Sequence, residues 1–257
     1  YDYYGWSVTM SDTRIVVGSR YDGAHTPGAG SAHLFDYDGN FIKELTIPSS
    51  YIGVNYSYGI DVAVSDTTIL VSSTGSEITL GQGEVFMFDI DGNFIKRIIA
   101  PVGYDADTFG WAIDISSDRI VVGAYHAEEP LKNAGRVFVF DQNGTFLFDI
   151  TSPNASYYGY FGFDVGVAGN NILVGANDEW SGEAQSGAAY LFDKDGNLLQ
   201  SLFPTGQNSY YSRENYGVSV CVSEDHAIVS SDKDDANDPG GLDLGAVYIY
   251  GTPKNTN

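Results

Sequence analysis

The feature that most limits how this chain folds is a recurrence. An aromatic-glycine pair stands at Tyr4-Gly5, Tyr58-Gly59, Phe109-Gly110, Phe161-Gly162 and Tyr216-Gly217. The glycines are 54, 51, 52 and 55 residues apart. A fixed period in this range marks an array of supersecondary units, each too small to bury its apolar surface alone. Every pair opens an alternating run: WSVTMS, IDVAVS, WAIDIS, FDVGVA and VSVCVS. A polar turn such as Ser11-Asp12-Thr13-Arg14 follows, then an apolar run beginning at Ile15, Ile69, Ile120, Ile172 or Ala227. A loop of variable length leads to a third run, SAHLFD, EVFMFD, RVFVFD, AAYLFD or AVYIYG. In four copies that run passes through a turn (YDGN, IDGN, QNGT, KDGN) into a fourth: FIKELTIP, FIKRIIAP, FLFDITSP or LLQSLFP.

Each unit reads as four short strands. Asp-Gly and Asn-Gly supply the positive φ that tight hairpin turns need. No stretch shows a sustained helical period with caps. Four antiparallel strands repeated every ~50 residues predict an all-β, five-bladed β-propeller. It is one domain, 1–257, with repeats at roughly 1–50, 51–103, 104–156, 157–209 and 210–257. Stacked blades bury both faces of the second and third strands, which fits their near-continuous apolar runs. The first strand alternates bulky with small residues, as in Trp6-Ser7-Val8-Thr9-Met10, and crowding at the axis favours that pattern. Neither Tyr1–Tyr3 nor Gly251–Asn257 makes a convincing extra strand, so the last blade is expected to have three, its edge limited by Pro253 and Lys254. The alternative is a fragment of a longer propeller. Cys221, between Val220 and Val222 on an innermost strand, is expected to be a buried structural thiol.

Composition narrows the partners. Twelve Lys+Arg against 34 Asp+Glu give a net charge of −22. Such a surface repels phosphate backbones, which makes nucleic acid and anionic membranes poor partners. No apolar run approaches the ~18 residues of a membrane span. Hydrophobic residues at 43% suffice for a core, and a single cysteine excludes an internal disulfide framework. Oligomeric state is not legible here.

The chain resembles the FG-GAP repeat family, found in the β-propeller of integrin α subunits and in many bacterial surface proteins. The resemblance is carried by Phe109-Gly110, Phe161-Gly162, Val122-Gly123-Ala124, Val174-Gly175-Ala176 (with no following proline) and Gly245-Ala246-Val247-Tyr248. It spans essentially the whole chain in five registered copies. It implies a propeller that serves as a binding or adhesion module, extracellular or on a cell or virion surface. One departure matters. Integrin-type repeats often place a calcium-binding loop between the first two strands, whereas here that connection is SDTR, SDTT, SSDR, AGNN or SEDH. These are too short and too poor in carboxylates for calcium to be carried over, and no cofactor is expected.

Several clusters look like sites. The turn Asp36-Tyr37-Asp38-Gly39-Asn40 and its relatives offer two alternating oxygen positions where a calcium loop has three, so they read as hairpin turns. The loop Asp232 to Asp243 holds Asp232, Asp234, Asp235, Asn237, Asp238 and Asp243. Ala236 and Pro239 break any ordered ligand spacing, so a solvated acidic loop is expected, with a calcium site as the alternative. Asp61 and Asp164 occupy matching innermost positions, with Asp114 nearby, and a glycan-cleaving enzyme would use such axial carboxylates. Ser7, Ala112 and Ser219 stand at the equivalent positions, so hydrogen bonding to a neighbouring blade is the expected role and no catalytic residue is assigned. His25, His33, His126 and His226 lack ligand spacing. No nucleophile elbow or phosphate loop occurs. The sequons at Asn55, Asn143 and Asn154 bear meaning only in a eukaryotic or viral setting.

The aromatic distribution says more. Loops leading into the first strands carry Tyr56, Tyr158, Tyr160 and Tyr211, and loops from second to third strand carry Tyr21, Tyr125, His126 and Trp180. Strand alternation puts both sets on one face of the ring. Tyr and Trp join flat apolar area to a hydrogen-bonding edge, which suits protein or glycan recognition. The expected ligand-binding residues are Trp180, Tyr125, Tyr158, His126, Tyr21, Tyr56 and Tyr211. Covering blade interfaces at the rim is the competing role for such residues. A glycan-cleaving enzyme and a structural spacer are the competing functions.

Overall fold

A computed structural model describes residues 2–23, 29–48, 57–74, 83–104, 107–180, 185–204, 214–233 and 245–253. Among these residues there is no helix, and the strands form five antiparallel sheets, the blades of a β-propeller. Blade 1 comprises β1 (Tyr4–Met10), β2 (Arg14–Ser19), β3 (Ser31–Asp36) and β4 (Phe41–Glu44). Blade 2 comprises β5 (Val62–Val64), β6 (Thr68–Ser73), β7 (Glu84–Asp89) and β8 (Phe94–Ile99). Blade 3 comprises β9 (Ile113–Ile115), β10 (Arg119–Ala124), β11 (Arg136–Asp141) and β12 (Phe146–Ile150). Blade 4 comprises β13 (Phe161–Ala168), β14 (Asn171–Ala176), β15 (Ala188–Asp193) and β16 (Leu198–Leu202). Blade 5 has three strands, β17 (Ser219–Val222), β18 (His226–Ser231) and β19 (Ala246–Gly251). Each sheet meanders outward in chain order, as the repeat predicts.

The aromatic-glycine pair is the hinge of every blade. The N–H of the following residue donates back across the pair: Trp6 to Tyr3 O, Ile60 to Ser57 O, Trp111 to Thr108 O, Phe163 to Tyr160 O and Val218 to Asn215 O, all at 3.0–3.1 Å. The five glycines have φ of +81° to +89°. That is a type II turn, whose third position needs positive φ, hence glycine. In blades 2 to 5 the aromatic at the second position is pushed into the seam with the preceding blade, whereas Tyr4 of blade 1 is exposed. Phe109, Phe161 and Tyr216 are fully buried there.

Four apolar clusters fill the seams between blades 1 and 2, 2 and 3, 3 and 4, and 4 and 5. Close backbone approach defines them. A Cβ on Gly18 would lie 2.2 Å from Gly59 O, on Gly123 2.2 Å from Gly162 O, and on Gly175 2.1 Å from Gly217 O. Blade 2 uses Ser72 at this position, against Gly110. Bridges Gly30 to Tyr58, Gly135 to Phe161 and Gly187 to Tyr216 tie the approach to the third strands of blades 1, 3 and 4 to the next opening aromatic. Blades 2, 3 and 4 bury both faces of their second and third strands.

Two expectations need correction at the ends of the array. Cys221 is exposed, not buried. Its side of β17 is the side that a following blade would cover, and apolar neighbours in sequence do not supply that cover. β19 likewise alternates half-buried with exposed residues, so burial of both faces holds for the three middle blades and not for blade 5.

Candidate functional site

Two positions in each repeat stand at the same end of their blade, where the first strand begins and the antiparallel second strand ends. One follows the opening pair: Trp6, Ile60, Trp111, Phe163, Val218. The other follows the second strand: Arg20, Thr74, Tyr125, Asn177, Asp232. In blades 1, 3 and 4 these residues meet. The Arg20 guanidinium, only 6% exposed as a residue, lies 4.9 Å from the Trp6 ring, 4.7 Å from Tyr21 and 5.6 Å from Trp111. It therefore links blade 1 to blade 3 by cation–π contact. Trp111 packs 4.8 Å from Tyr125, which also touches Phe163 at 5.4 Å, Tyr160 at 5.5 Å and His126 at 4.0 Å. Tyr158 continues the wall 6.4 Å from Tyr160, with the Lys132 ammonium 6.0 Å from its ring.

The wall has a buried inner part and an exposed outer part. Burial pushes the Tyr125 hydroxyl up to about 12, with Tyr160 adding to the shift and Arg20 opposing it. Burial also lowers the His126 value, which favours the neutral imidazole. Tyr158 and Trp180 are 42% and 46% exposed. Trp180 is held at its backbone: Asn154 Nδ2 donates to Trp180 O at 2.7 Å, and Trp180 N–H donates to Ser156 Oγ at 3.4 Å. The preceding residue, Glu179, is fully buried, accepts from the Tyr190 hydroxyl, and is pushed up to about 7 by that burial. Flat rings, hydroxyl edges and one clamped cation suit the face to stacking and hydrogen bonding.

Of the residues expected from sequence, Tyr21, Tyr125, His126 and Tyr158 lie along this wall. Trp180, after the second strand of blade 4, is bonded through its backbone to Asn154 and Ser156, which shortly precede Tyr158 in the chain. Tyr56 and Tyr211 fall outside the described residues, as does the loop from Asp234 to Asp243. Arg20, Trp111 and Phe163 were missed. The signal that finds them is positional, since all three stand at the two register positions that share that end of the blade.

The axial carboxylates form a second, separate arrangement. Asp61 accepts from Ile113 N–H at 2.7 Å on one oxygen, and from Ser7 Oγ at 2.7 Å and Val62 N–H at 2.9 Å on the other. Asp114 accepts from Val167 N–H at 2.7 Å and Ile115 N–H at 2.8 Å. Asp164 accepts from Val220 N–H at 2.6 Å and Val165 N–H at 3.0 Å. Each thus ties its own blade to the next, the role expected from sequence. Burial raises Asp61 to about 7 and Asp114 and Asp164 to about 6, against the pull of those donors. Among the described residues no cluster of His, Cys, Asp or Glu is placed to hold a metal ion.

Residues 1–35, 93–140 and 148–192 each match the family model of the FG-GAP repeat. The chain belongs to the FG-GAP repeat family. The second and third FG-GAP matches begin in a fourth strand or its turn and run through the next three strands, so the family's unit straddles a seam. The matched units are those with Gly18-Ser19, Gly123-Ala124 and Gly175-Ala176 after the second strand. Blades 2 and 5, with Ser72-Ser73 and Ser230-Ser231, keep the FG-GAP fold with altered seam residues. A comparison with curated proteins gives no match.

Proposed function

We propose that this FG-GAP propeller is a binding or adhesion module, working outside the cell or on a cell or virion surface. Its ligand is a protein or glycan that docks on the aromatic face. The observation that carries this reading is the continuous wall from Tyr21 through Arg20, Trp111 and Tyr125 to Tyr158, with Trp180 exposed beside it. A glycan array run beside a hydrolysis assay on pooled polysaccharides tests it. Trp180→Ala, Tyr125→Ala and Tyr158→Ala are each expected to weaken binding by about 2 kcal/mol, roughly 30-fold. Asp61→Asn and Asp164→Asn are expected to leave binding nearly unchanged.

A second reading, a glycan-cleaving enzyme, draws on the raised values of Asp61, Asp114 and Asp164. A carboxamide serves as neither acid, base nor nucleophile. Turnover that either Asn substitution abolishes would favour the enzyme and end the adhesion reading.

A further inference from the structure

Glu179 is fully buried, one residue before the exposed Trp180. The backbone there does not call for a carboxylate. The same turn follows the second strands of blades 1, 3 and 4: the N–H groups of Asp22, Ala127 and Glu179 donate to Ser19, Ala124 and Ala176 O at 3.3, 3.0 and 3.1 Å. Their carbonyls accept from Gly30, Gly135 and Gly187 N–H at 3.0, 3.1 and 3.0 Å. Ala127 makes both bonds with only a methyl group, so the Glu179 side chain is an addition to the turn and not a part of it. We propose that Glu179 is a proton-operated latch of the binding face. Protonated, it stays buried and holds Trp180 and Tyr158 in place; deprotonated, it leaves its site and loosens both. The inference rests on the reading of Trp180 and Tyr158 as ligand-binding residues.

The surroundings of the carboxyl group suit the neutral acid. Oε1 accepts from the Tyr190 hydroxyl of β15, whereas Oε2 is buried without a hydrogen-bond partner. A Cβ on Gly159 would lie 3.4 Å from Glu179 Cγ, so the side chain packs against the stretch that joins β12 to β13. From that stretch it faces Ser152 and Asn154, which are uncharged and engaged elsewhere. Ser152 Oγ accepts Asn154 N–H at 3.1 Å, and Asn154 Nδ2 donates to Trp180 O at 2.7 Å. Tyr190 is the titratable group that faces it from β15, and burial keeps that hydroxyl protonated. Asp178 precedes it on its own loop, and among the described residues no cation lies against it. An ionised carboxylate with an oxygen that is buried and lacks a donor is costly, and the protonated acid escapes most of that cost. Burial accordingly pushes Glu179 up to about 7, against the pull of Ser152, Tyr190 and Asn154.

The stretch that covers Glu179 also supports the binding face. Asn154 and Ser156 hold the Trp180 backbone at its two polar groups. Gly159 N–H donates to Ser156 O at 3.2 Å. Tyr158, between them, takes φ +60°, a conformation that a bulky residue keeps only when its surroundings hold it. Departure of Glu179 would pull on Trp180 through the chain and remove the contact at Gly159. A rise from the ordinary glutamate value to about 7 shifts such an opening equilibrium by roughly 300-fold between its acid and alkaline limits. That is enough to carry a two-state element most of the way from shut to open. The face is thus ordered in acid and loosened in alkali.

Trp180 fluorescence provides the test. It needs no ligand, so its failure is distinct from a failure of the binding reading. Subtracting the spectrum of the Trp180→Phe variant isolates Trp180 from Trp6 and Trp111. As pH rises from about 5 to about 8.5, the Trp180 emission is expected to move to longer wavelength and acrylamide to quench it more strongly, with a midpoint near pH 7. Glu179→Gln, neutral at every pH, is expected to hold the acid signature throughout. Glu179→Ala, with the side chain that blade 3 carries at this position, is expected to ignore pH as well, and it replaces the Gln variant if circular dichroism shows that one unfolded. A Trp180 signal that stays constant with pH would overturn the proposal. A shift that survives in Glu179→Gln would overturn it in favour of another titrating group, such as Asp61, Asp114 or Asp164. A shift that coincides with loss of the β-sheet circular dichroism would overturn it, since the whole fold and not the latch would then be titrating.

Discussion

At the scale of single residues, the fold rests on what a glycine leaves room for and what an aromatic fills. Phe161 opens blade 4 with its ring 6.0 Å from Tyr190 and 6.1 Å from Phe192, in a cluster that also holds Val121, Val137 and Val139 of blade 3. Phe161→Ala is expected to cost about 3–5 kcal/mol, since it opens a cavity between two sheets that cannot collapse independently. Asp38→Ala, in an exposed turn, is expected to cost under about 1 kcal/mol. Urea melts compare the two, and equal effects would mean that the aromatic does not fill the seam. Gly123→Ala tests the other half: its methyl would press on Gly162 O, and a loss of about 1–3 kcal/mol is expected. The aromatic-glycine pairs were fully legible in the sequence because they obey one local rule. Cys221 was not, because its exposure depends on whether another blade covers it, and its neighbours Val220 and Val222 carry no trace of that.

At the scale of elements, the 3–4 hairpins show how a metal-like sequence becomes a turn. The Asp36 carboxylate accepts from Asn40 N–H at 2.8 Å and Asn40 Nδ2 at 2.9 Å, and Asp89 does the same with Asn93 at 2.8 Å for both. Asp141 accepts from the N–H groups of Thr145 and Asn143 at 2.8 and 2.9 Å. Gly39, Gly92, Gly144 and Gly196 take positive φ, and each hairpin shifts register beside the turn. The carboxylates are spent on their own backbone and held below the usual range, by the side chain of Asn40 at Asp36 and by the backbone of Asn93 at Asp89. Calcium titrated into chelator-stripped protein is therefore expected to give no heat from these turns. Four or five ions per chain would overturn the turn reading. Strand order and turn type were legible from period and turn chemistry. The wall was legible only in part: Tyr125 stands out by its residue type, whereas the approach of Arg20 to Trp111 follows from ring geometry that no local pattern encodes.

At the scale of the whole molecule, buried carboxylates set how stability responds to pH. Asp61 and Glu179 are raised to about 7, and Asp114 and Asp164 to about 6, chiefly by burial. A group that holds its proton more tightly when folded contributes stability below its unfolded value and loses it as pH rises through the folded one. Asp36, Asp89 and Asp141, all lowered, contribute above their unfolded value and lose it as pH falls. The melting temperature is therefore expected to peak near pH 4–5, falling on the alkaline side through about pH 7 and on the acid side below about pH 4. Asp61→Asn is expected to flatten the alkaline slope. A melting temperature that rises steadily from pH 5 to 8 would contradict the assignment.

The offset between the family's unit and the blade has a consequence for how such rings change size. A matched stretch such as residues 93–140 starts in the turn before the last strand of one blade and ends in the third strand of the next. It contains the outermost strand of one blade and the opening turn and inner strand of the next, while Ser72 and Gly83, which meet that turn across the boundary, lie before it. Insertion or deletion of such a unit by recombination would carry one side of each boundary, so the joint is complete only where the flanking repeat supplies the matching side. Blade number in this architecture is thus open to revision by whole units whose seam positions match those of their new neighbours, a glycine before the third strand against an opening aromatic above all.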